Sequence, residues 1–169
     1  MTGQGAERLL WLLEVTEHEG RHLLQTTERL FVQTLDMEWY AALETDPDLA
    51  ERVDAFSARF GRMQDTIGDR LVPELLRQLL EQPGSALDNL QRLEKLGLLA
   101  SAEEWVEARN LRNQLVHEYM RDPAVFLQAL ERARQLVLLL VGTYNAILAY
   151  ARDRIPAVEG SDRSPLPNA

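Results

Sequence analysis

Apolar residues recur at intervals of three and four along most of the chain, and this spacing limits the fold more than any other feature. Residues spaced in this way lie on one side of an α-helix. The stripe is clearest in a helix predicted from Pro123 to about Arg154. Its apolar members are Phe126, Leu130, Ala133, Val137, Leu140, Tyr144 and Leu148. No segment alternates apolar and polar residues as a half-buried strand does, so the sequence predicts an all-α fold.

Helix boundaries are marked by capping residues. Asp46-Pro47 and Asp122-Pro123 each place an N-capping aspartate before a proline that fits the first turn of a helix. Ser101 and Glu104 have the spacing of a capping box. The predicted helices span about 6–35, 47–80, 85–97, 101–120 and 123–154. Pro73 is expected to kink or interrupt the second of these helices.

These elements predict an up-and-down bundle of about five helices in one domain, residues 1–155. The segment 36–47 is expected to be a turn. After Pro156 the composition changes to glycine, serine, proline and aspartate, so residues 156–169 are expected to form a disordered tail. A chain of 169 residues is long enough for one domain with its own core.

Composition and charge narrow the classes of function. The chain has no cysteine, which excludes disulfides and thiolate sites. It has no segment like a signal peptide, and its longest apolar run, Leu136 to Val141, is too short to span a membrane. We therefore expect a cytoplasmic protein with no membrane contact. The net charge of −9 argues against non-specific binding along nucleic acid, but it leaves room for a local RNA site near Arg109 and Arg112.

One segment contains residues that invite a chemical explanation. It runs from Arg112 to Tyr119 within the fourth predicted helix and includes Asn113 and His117. On a straight helix Arg112 lies within the apolar arc, level with Tyr119, whereas His117 lies about 140° away from Arg112. The two ionisable side chains could meet if the helix ends or bends near His117. They could also meet if a second copy supplies the partner across a two-fold axis.

Each of these residues also has a structural interpretation. Arg112 could be an ion-paired arginine at the edge of the core, His117 a surface histidine, and Tyr119 a core aromatic residue. An arginine in an apolar arc needs a partner, and Asp65 or Asp69 could provide it. The alternative is that these aspartates belong to a solvated charged face.

Two histidines, His18 and His22, have the i, i+4 spacing of metal ligands on a helix. No histidine or acidic third ligand follows at a diagnostic interval. The sequence therefore predicts no metal site.

The motif Arg-x4-His-x-Tyr on a late helix of a small all-α chain resembles the HEPN superfamily, and more closely its HepT-like branch. The matching residues are Arg112, His117 and Tyr119, and Asn113 matches the Arg-Asn pair frequent in the family. The resemblance is sharp over 110–119. It is looser over the rest of the chain, where it rests on helix order and on the segment 60–76.

This resemblance implies a metal-independent ribonuclease that needs no cofactor and acts as a homodimer, with the motif helices facing each other across a cleft. His117 would take the proton from a ribose 2′-hydroxyl or protonate the leaving oxygen. Arg112 would hold the phosphate. Asn113 would orient the imidazole or the phosphate, and Arg109 and Asp65 would support the site.

The resemblance also implies a partner, a minimal nucleotidyltransferase that acts as antitoxin of the MNT type. It would silence the toxin by transferring AMP to Tyr119, because the adduct adds negative charge and bulk beside Arg112. Two other functions remain open: a non-catalytic partner subunit of such a nucleotidyltransferase, and an unrelated helical interaction protein. The chain is longer than a minimal HepT-like domain, notably around 36–47 and 85–97.

Overall fold

The computed structural model describes residues 3–117 and 121–168, and all its regular elements are helical. The prediction of an all-α bundle is confirmed for these residues. The helices are α1 Gly3–Leu30, α2 Met37–Ala42, α3 Pro47–Asp65, α4 Val72–Gln78, α5 Ala86–Lys95, α6 Ala102–His117, α7 Pro123–Arg154 and α8 Pro156–Glu159. A π-helical turn, Thr66–Leu71, joins α3 to α4 without a break.

The predicted caps are present. An Asp46 carboxylate oxygen accepts hydrogen bonds from the backbone N–H groups at the start of α3, and Asp122 does the same for α7. Ser85 and Asp88 form a reciprocal capping box at the start of α5. Of the capping box predicted at the start of α6, one half is present: Ser101 Oγ accepts from the Glu104 N–H at 3.1 Å, whereas the Glu104 side chain pairs with Arg132. The starts of these helices are therefore as predicted, because each cap satisfies donors that the first turn leaves unpaired. The first helix ends at Leu30 and not near residue 35 as predicted.

The long second helix is interrupted just before Pro73, as predicted, although it keeps its course. The backbone N–H of Val72 donates to the carbonyl of Ile67, five residues earlier, which is the π-helical pattern. Proline has no N–H and its ring crowds the carbonyl four residues before it. A wider turn at this point accommodates the proline without ending the helix.

The segment 36–47 is not simply a turn, and this prediction was wrong in part. Residues Met37–Ala42 form α2, which Asp36 caps by accepting a hydrogen bond from the Trp39 N–H at 2.9 Å. Trp39 is buried. Burial of one large aromatic side chain offsets the cost of ordering this short helix, which on its own would be too short to form.

The core lies between α1, the continuous helix from α3 to α4, α6 and α7. Its largest fully buried side chains include Phe56 and Phe60 of α3, Phe126 and Tyr144 of α7, and Leu12 of α1. None of the helices in the described residues has the length and apolar content needed to cross a membrane.

Residues 156–168 are ordered, contrary to the prediction of a disordered tail. Beyond α8, residues 160–168 form an extended strap across α1 and α7. Leu166 is buried against Gly20, and its backbone N–H and C=O both bond the side chain of Asn145. Arg163 pairs with the buried Glu17 at 3.3 Å. The polar composition gave no sign of these contacts, although a few of them are enough to hold a short segment in place.

Replacement of the buried strap residue, Leu166→Ala, is expected to lower the free energy of unfolding by about 2–5 kcal/mol, because it leaves a cavity beside Gly20. Chemical denaturation measures the change. Leu80→Ala is the matched control, since Leu80 is 87% exposed. It should change the free energy of unfolding by less than about 0.5 kcal/mol. Equal effects of the two substitutions would contradict the packed strap.

Candidate functional site

Helix α6 carries the motif and buries one side of itself. Trp105, Ala108, Leu111 and Leu115 are buried, and the helix packs between α3 and α7. The amide nitrogen of Gln64 donates to the Trp105 carbonyl at 3.2 Å, inside the protein. These contacts fix the rotation of α6 about its axis and therefore decide which motif residues face solvent.

Arg112 lies at the boundary between the core and solvent, and it pairs with Asp65. Its Nη1 lies 2.5 Å from Asp65 Oδ2, and the two side chains are 39% and 37% exposed. The guanidinium also lies close to the backbone of Gly61, where an added Cβ would come within 2.6 Å of Arg112 Nε. The sequence left open whether Asp65 pairs with Arg112 or belongs to a solvated charged face. The structure shows the ion pair.

A second ion pair joins the same two helical segments. Arg109 Nη2 lies 3.3 Å from Asp69 Oδ1, and both side chains are about half exposed. Asp69 belongs to the π-helical turn. The two pairs form a short ladder that holds α6 against the end of α3 and the start of the π turn.

His117 and Asn113 face solvent. Both side chains are exposed, and neither has a hydrogen bond or an ion pair with another described residue. His117 is the last described residue of α6. A helix turns by about 140° and rises about 7.5 Å over the five residues from Arg112 to His117. The structure therefore pairs Arg112 with Asp65 and Arg109 with Asp69, whereas ideal helix geometry directs His117 away from Arg112.

An open groove of about 330 Å³ lies beside the Arg112 guanidinium, between α3 and α6. Its α6 side is formed by Arg112, Leu115 and Val116. Its α3 side is formed by Val53, Asp54, Ser57 and Ala58. The groove gives a ligand access to Arg112 from solvent. One carboxylate, Asp54, lies on its wall.

The sequence also singled out Tyr119 and the histidine pair of α1. Tyr119, the predicted AMP acceptor, lies outside the described residues. His18 is exposed and lies 3.9 Å from Glu14. Within the described residues no group of three or more histidine, aspartate or glutamate side chains is placed to hold a metal ion.

The sequence reasoning missed Glu19, which lies near the ion-pair ladder. Thr66, the first residue of the π turn, donates to Glu19 Oε1 at 3.0 Å. Glu19 Oε2 is buried without a hydrogen-bond partner among the described residues. Burial raises the pKa of this carboxyl, although the Thr66 hydrogen bond and the nearby Arg62 and Arg70 oppose the rise. Its contact with Thr66 spans 47 residues of sequence, so no local pattern marks it.

Comparisons of the chain with models of protein families, with curated proteins and with solved structures found no match. The interpretation of the site therefore rests on its residues and their geometry.

A double-mutant cycle with Arg112→Ala and Asp65→Ala is expected to give a coupling energy of about 0.2–1 kcal/mol in the free energy of unfolding, because a half-exposed ion pair is screened by solvent. Denaturant unfolding of the four proteins measures it. A coupling above about 3 kcal/mol would identify the pair as a buried structural brace.

Replacing the half-buried carboxyl of Glu19 by an amide, Glu19→Gln, is expected to raise the melting temperature near pH 7. The raised pKa means that the folded state disfavours the ionised form. The contribution of Glu19 to the free energy of unfolding is therefore fully present below the ordinary pKa of 4.5. It is lost as the pH rises through the raised pKa of the folded state. The advantage of the amide should vanish below about pH 4.5.

Thermal unfolding across this pH range measures the effect. The exposed Glu7→Gln in the same helix is the control and should show no such pH-dependent gain. A Glu19→Gln protein that is less stable than the parent at neutral pH would show that the ionised carboxylate stabilises the fold.

Proposed function

We propose that this chain is a HEPN-type, HepT-like endoribonuclease that acts as a homodimer and cleaves RNA without a metal ion. The proposal rests on how the motif residues are distributed between the buried edge and the exposed side of α6. Arg112 is held at the edge of an open groove, while Asn113 and His117 are exposed and have no structural partner among the described residues. Both side chains are therefore accessible to a substrate.

A second copy of the chain would complete the proposed site. Arg112 and His117 point about 140° apart on the helix, and pairing across a two-fold axis would let Arg112 of one subunit act with His117 of the other. The exposed positions of α6 between Val106 and His117 favour self-association, because none of them is acidic in a chain of net charge −9. Two of these exposed residues, Val106 and Val116, are apolar.

The chemistry follows from the residue types. His117 of one subunit removes the proton from a ribose 2′-hydroxyl, whose oxygen attacks the adjacent phosphorus. The bond to the 5′ oxygen breaks, that oxygen takes up a proton, and a cyclic 2′,3′-phosphate remains. Arg112 of the other subunit stabilises the negative charge on the phosphoryl oxygens. Asn113 orients the phosphate or the imidazole.

Asp65 and Arg109 have supporting roles in this proposal. A guanidinium group has five N–H donors, and Asp65 accepts from one of its nitrogens, Nη1. The remaining donors are available to a phosphate, while the ion pair fixes the direction of the side chain. Arg109, which is half exposed and pairs with Asp69 at 3.3 Å, adds positive charge one turn earlier on the same helix.

Regulation is proposed to occur through a partner, a minimal nucleotidyltransferase antitoxin that transfers AMP to the Tyr119 hydroxyl. The adduct would place a phosphate two residues beyond His117, where it would compete with the RNA phosphate for Arg112.

One observation favours a second function, that of a non-catalytic partner subunit of such a nucleotidyltransferase. The charge of Arg112 is already compensated by Asp65 at 2.5 Å, and the chain as a whole is acidic. In this case α6 would be a docking surface for protein, and RNA would not be cleaved.

Induction of the protein alone is expected to arrest growth and cleave RNA, and both effects should be lost in Arg112→Ala and in His117→Ala. Loss of a general base typically slows a reaction by about 10²–10⁴-fold. Growth curves and gel analysis of total RNA measure the effects. His18→Ala is the matched control, because it removes another exposed histidine. Folding of each variant is checked by circular dichroism.

Co-expression of the Arg112→Ala and His117→Ala chains distinguishes a site shared between subunits from a site within one chain. A mixed dimer contains one intact pairing of Arg112 from one subunit with His117 from the other, so partial activity should return. No return of activity from a mixed dimer that has been isolated would overturn the shared site. Folded parent protein that neither arrests growth nor cleaves RNA would favour the partner subunit.

A further inference from the structure

A second groove lies on the other side of α3 from the motif, between α1 and α3. It consists of two adjoining cavities of about 260 and 340 Å³, which share Thr26, Arg29 and Arg59. Arg52 lines the first of them. Three arginines from two helices therefore face one elongated depression in a chain whose net charge is −9.

These arginines differ from most others in the protein in having no carboxylate partner. No carboxylate oxygen of a described residue lies within 4.0 Å of a side-chain nitrogen of Arg29, Arg52 or Arg59. Arg59 donates instead to two neutral acceptors on α1, the His22 carbonyl at 3.2 Å and the Thr26 hydroxyl. The side chain is thus fixed in place without a direct ion pair.

One side-chain nitrogen of Arg52 lacks a hydrogen-bond partner within the described part of the chain. Its Nε is buried and has no hydrogen-bond partner among the described residues. A buried donor without an acceptor destabilises the folded state. Such a group calls for an explanation, and a bound ion or ligand is one of the usual ones. The acceptor that Arg52 lacks is therefore expected to come from outside the chain.

Three carboxylates, those of Glu28, Asp48 and Glu51, also line the groove. Asp48 lies in the first turn of α3, where the helix dipole stabilises a negative charge. Glu51 is exposed and lies on the same wall as Arg52. These side chains weaken the positive potential of the groove. Removal of one of their charges is therefore expected to strengthen the binding of an anion.

We propose that the groove between α1 and α3 binds phosphate groups, with Arg52 and Arg59 as the main donors and Arg29 at the rim. Guanidinium groups bind phosphate oxygens through paired hydrogen bonds. The groove spans two cavities that share Arg29 and Arg59, so a polyphosphate is a suitable probe. The proposal does not depend on the motif of α6 or on ribonuclease activity.

Titration calorimetry of the whole protein with sodium tripolyphosphate at low salt tests the proposal. Arg52→Ala and Arg59→Ala are each expected to weaken binding about tenfold, the loss of one charge-assisted interaction. Arg62→Ala is the control of equal charge, because Arg62 is exposed on α3 and does not line the groove. It should weaken binding less than about threefold. Glu51→Gln is expected to tighten binding, since it removes a repulsive charge.

The same variants titrated with a short single-stranded RNA that lacks terminal phosphates identify the source of the phosphate. Binding of tripolyphosphate alone assigns the groove to a free polyphosphate or nucleotide tail, and binding of both ligands assigns it to a phosphodiester chain as well. No binding of either ligand overturns the proposal. Binding that falls equally in Arg52→Ala, Arg59→Ala and Arg62→Ala also overturns it, because it would reflect net charge alone.

Discussion

Helix α6 can bury only one side, and this constraint divides the residues of the motif. The core takes Trp105, Ala108, Leu111 and Leu115, so the helix cannot rotate without exposing them. Arg112 falls at the edge of the buried side and requires Asp65, whereas Asn113 and His117 fall on the solvent side. Packing of the core therefore determines which residues of the motif face solvent.

Local sequence predicted most of the fold, because the relevant interactions are short in range. Asp46, Asp122, Ser85 and Ser101 cap helices through contacts with residues two or three positions away. The failures at α2 and at residues 160–168 have a common cause. Trp39 and Leu166 order their segments through tertiary burial, which composition does not reveal.

The candidate site was predicted in part for a similar reason. The period of the helix predicted both the position of Arg112 within the apolar arc and the separation of Arg112 from His117. The choice of Asp65 as partner remained open, because that contact spans 47 residues of sequence. Glu19 and the unpartnered Nε of Arg52 had no sequence signal. Whether a buried atom lacks a hydrogen-bond partner depends on all the residues packed around it, and these come from distant parts of the chain.

The strap links parts of the chain that are far apart in sequence. Leu166 fills the space beside Gly20, and Arg163 pairs with Glu17 from 146 residues away. During synthesis, α1 is complete long before these partners exist. The surface of α1 around Glu17 and Gly20 thus stays uncovered until residues beyond 160 emerge from the ribosome. Full packing of the first helix is therefore a late step in folding.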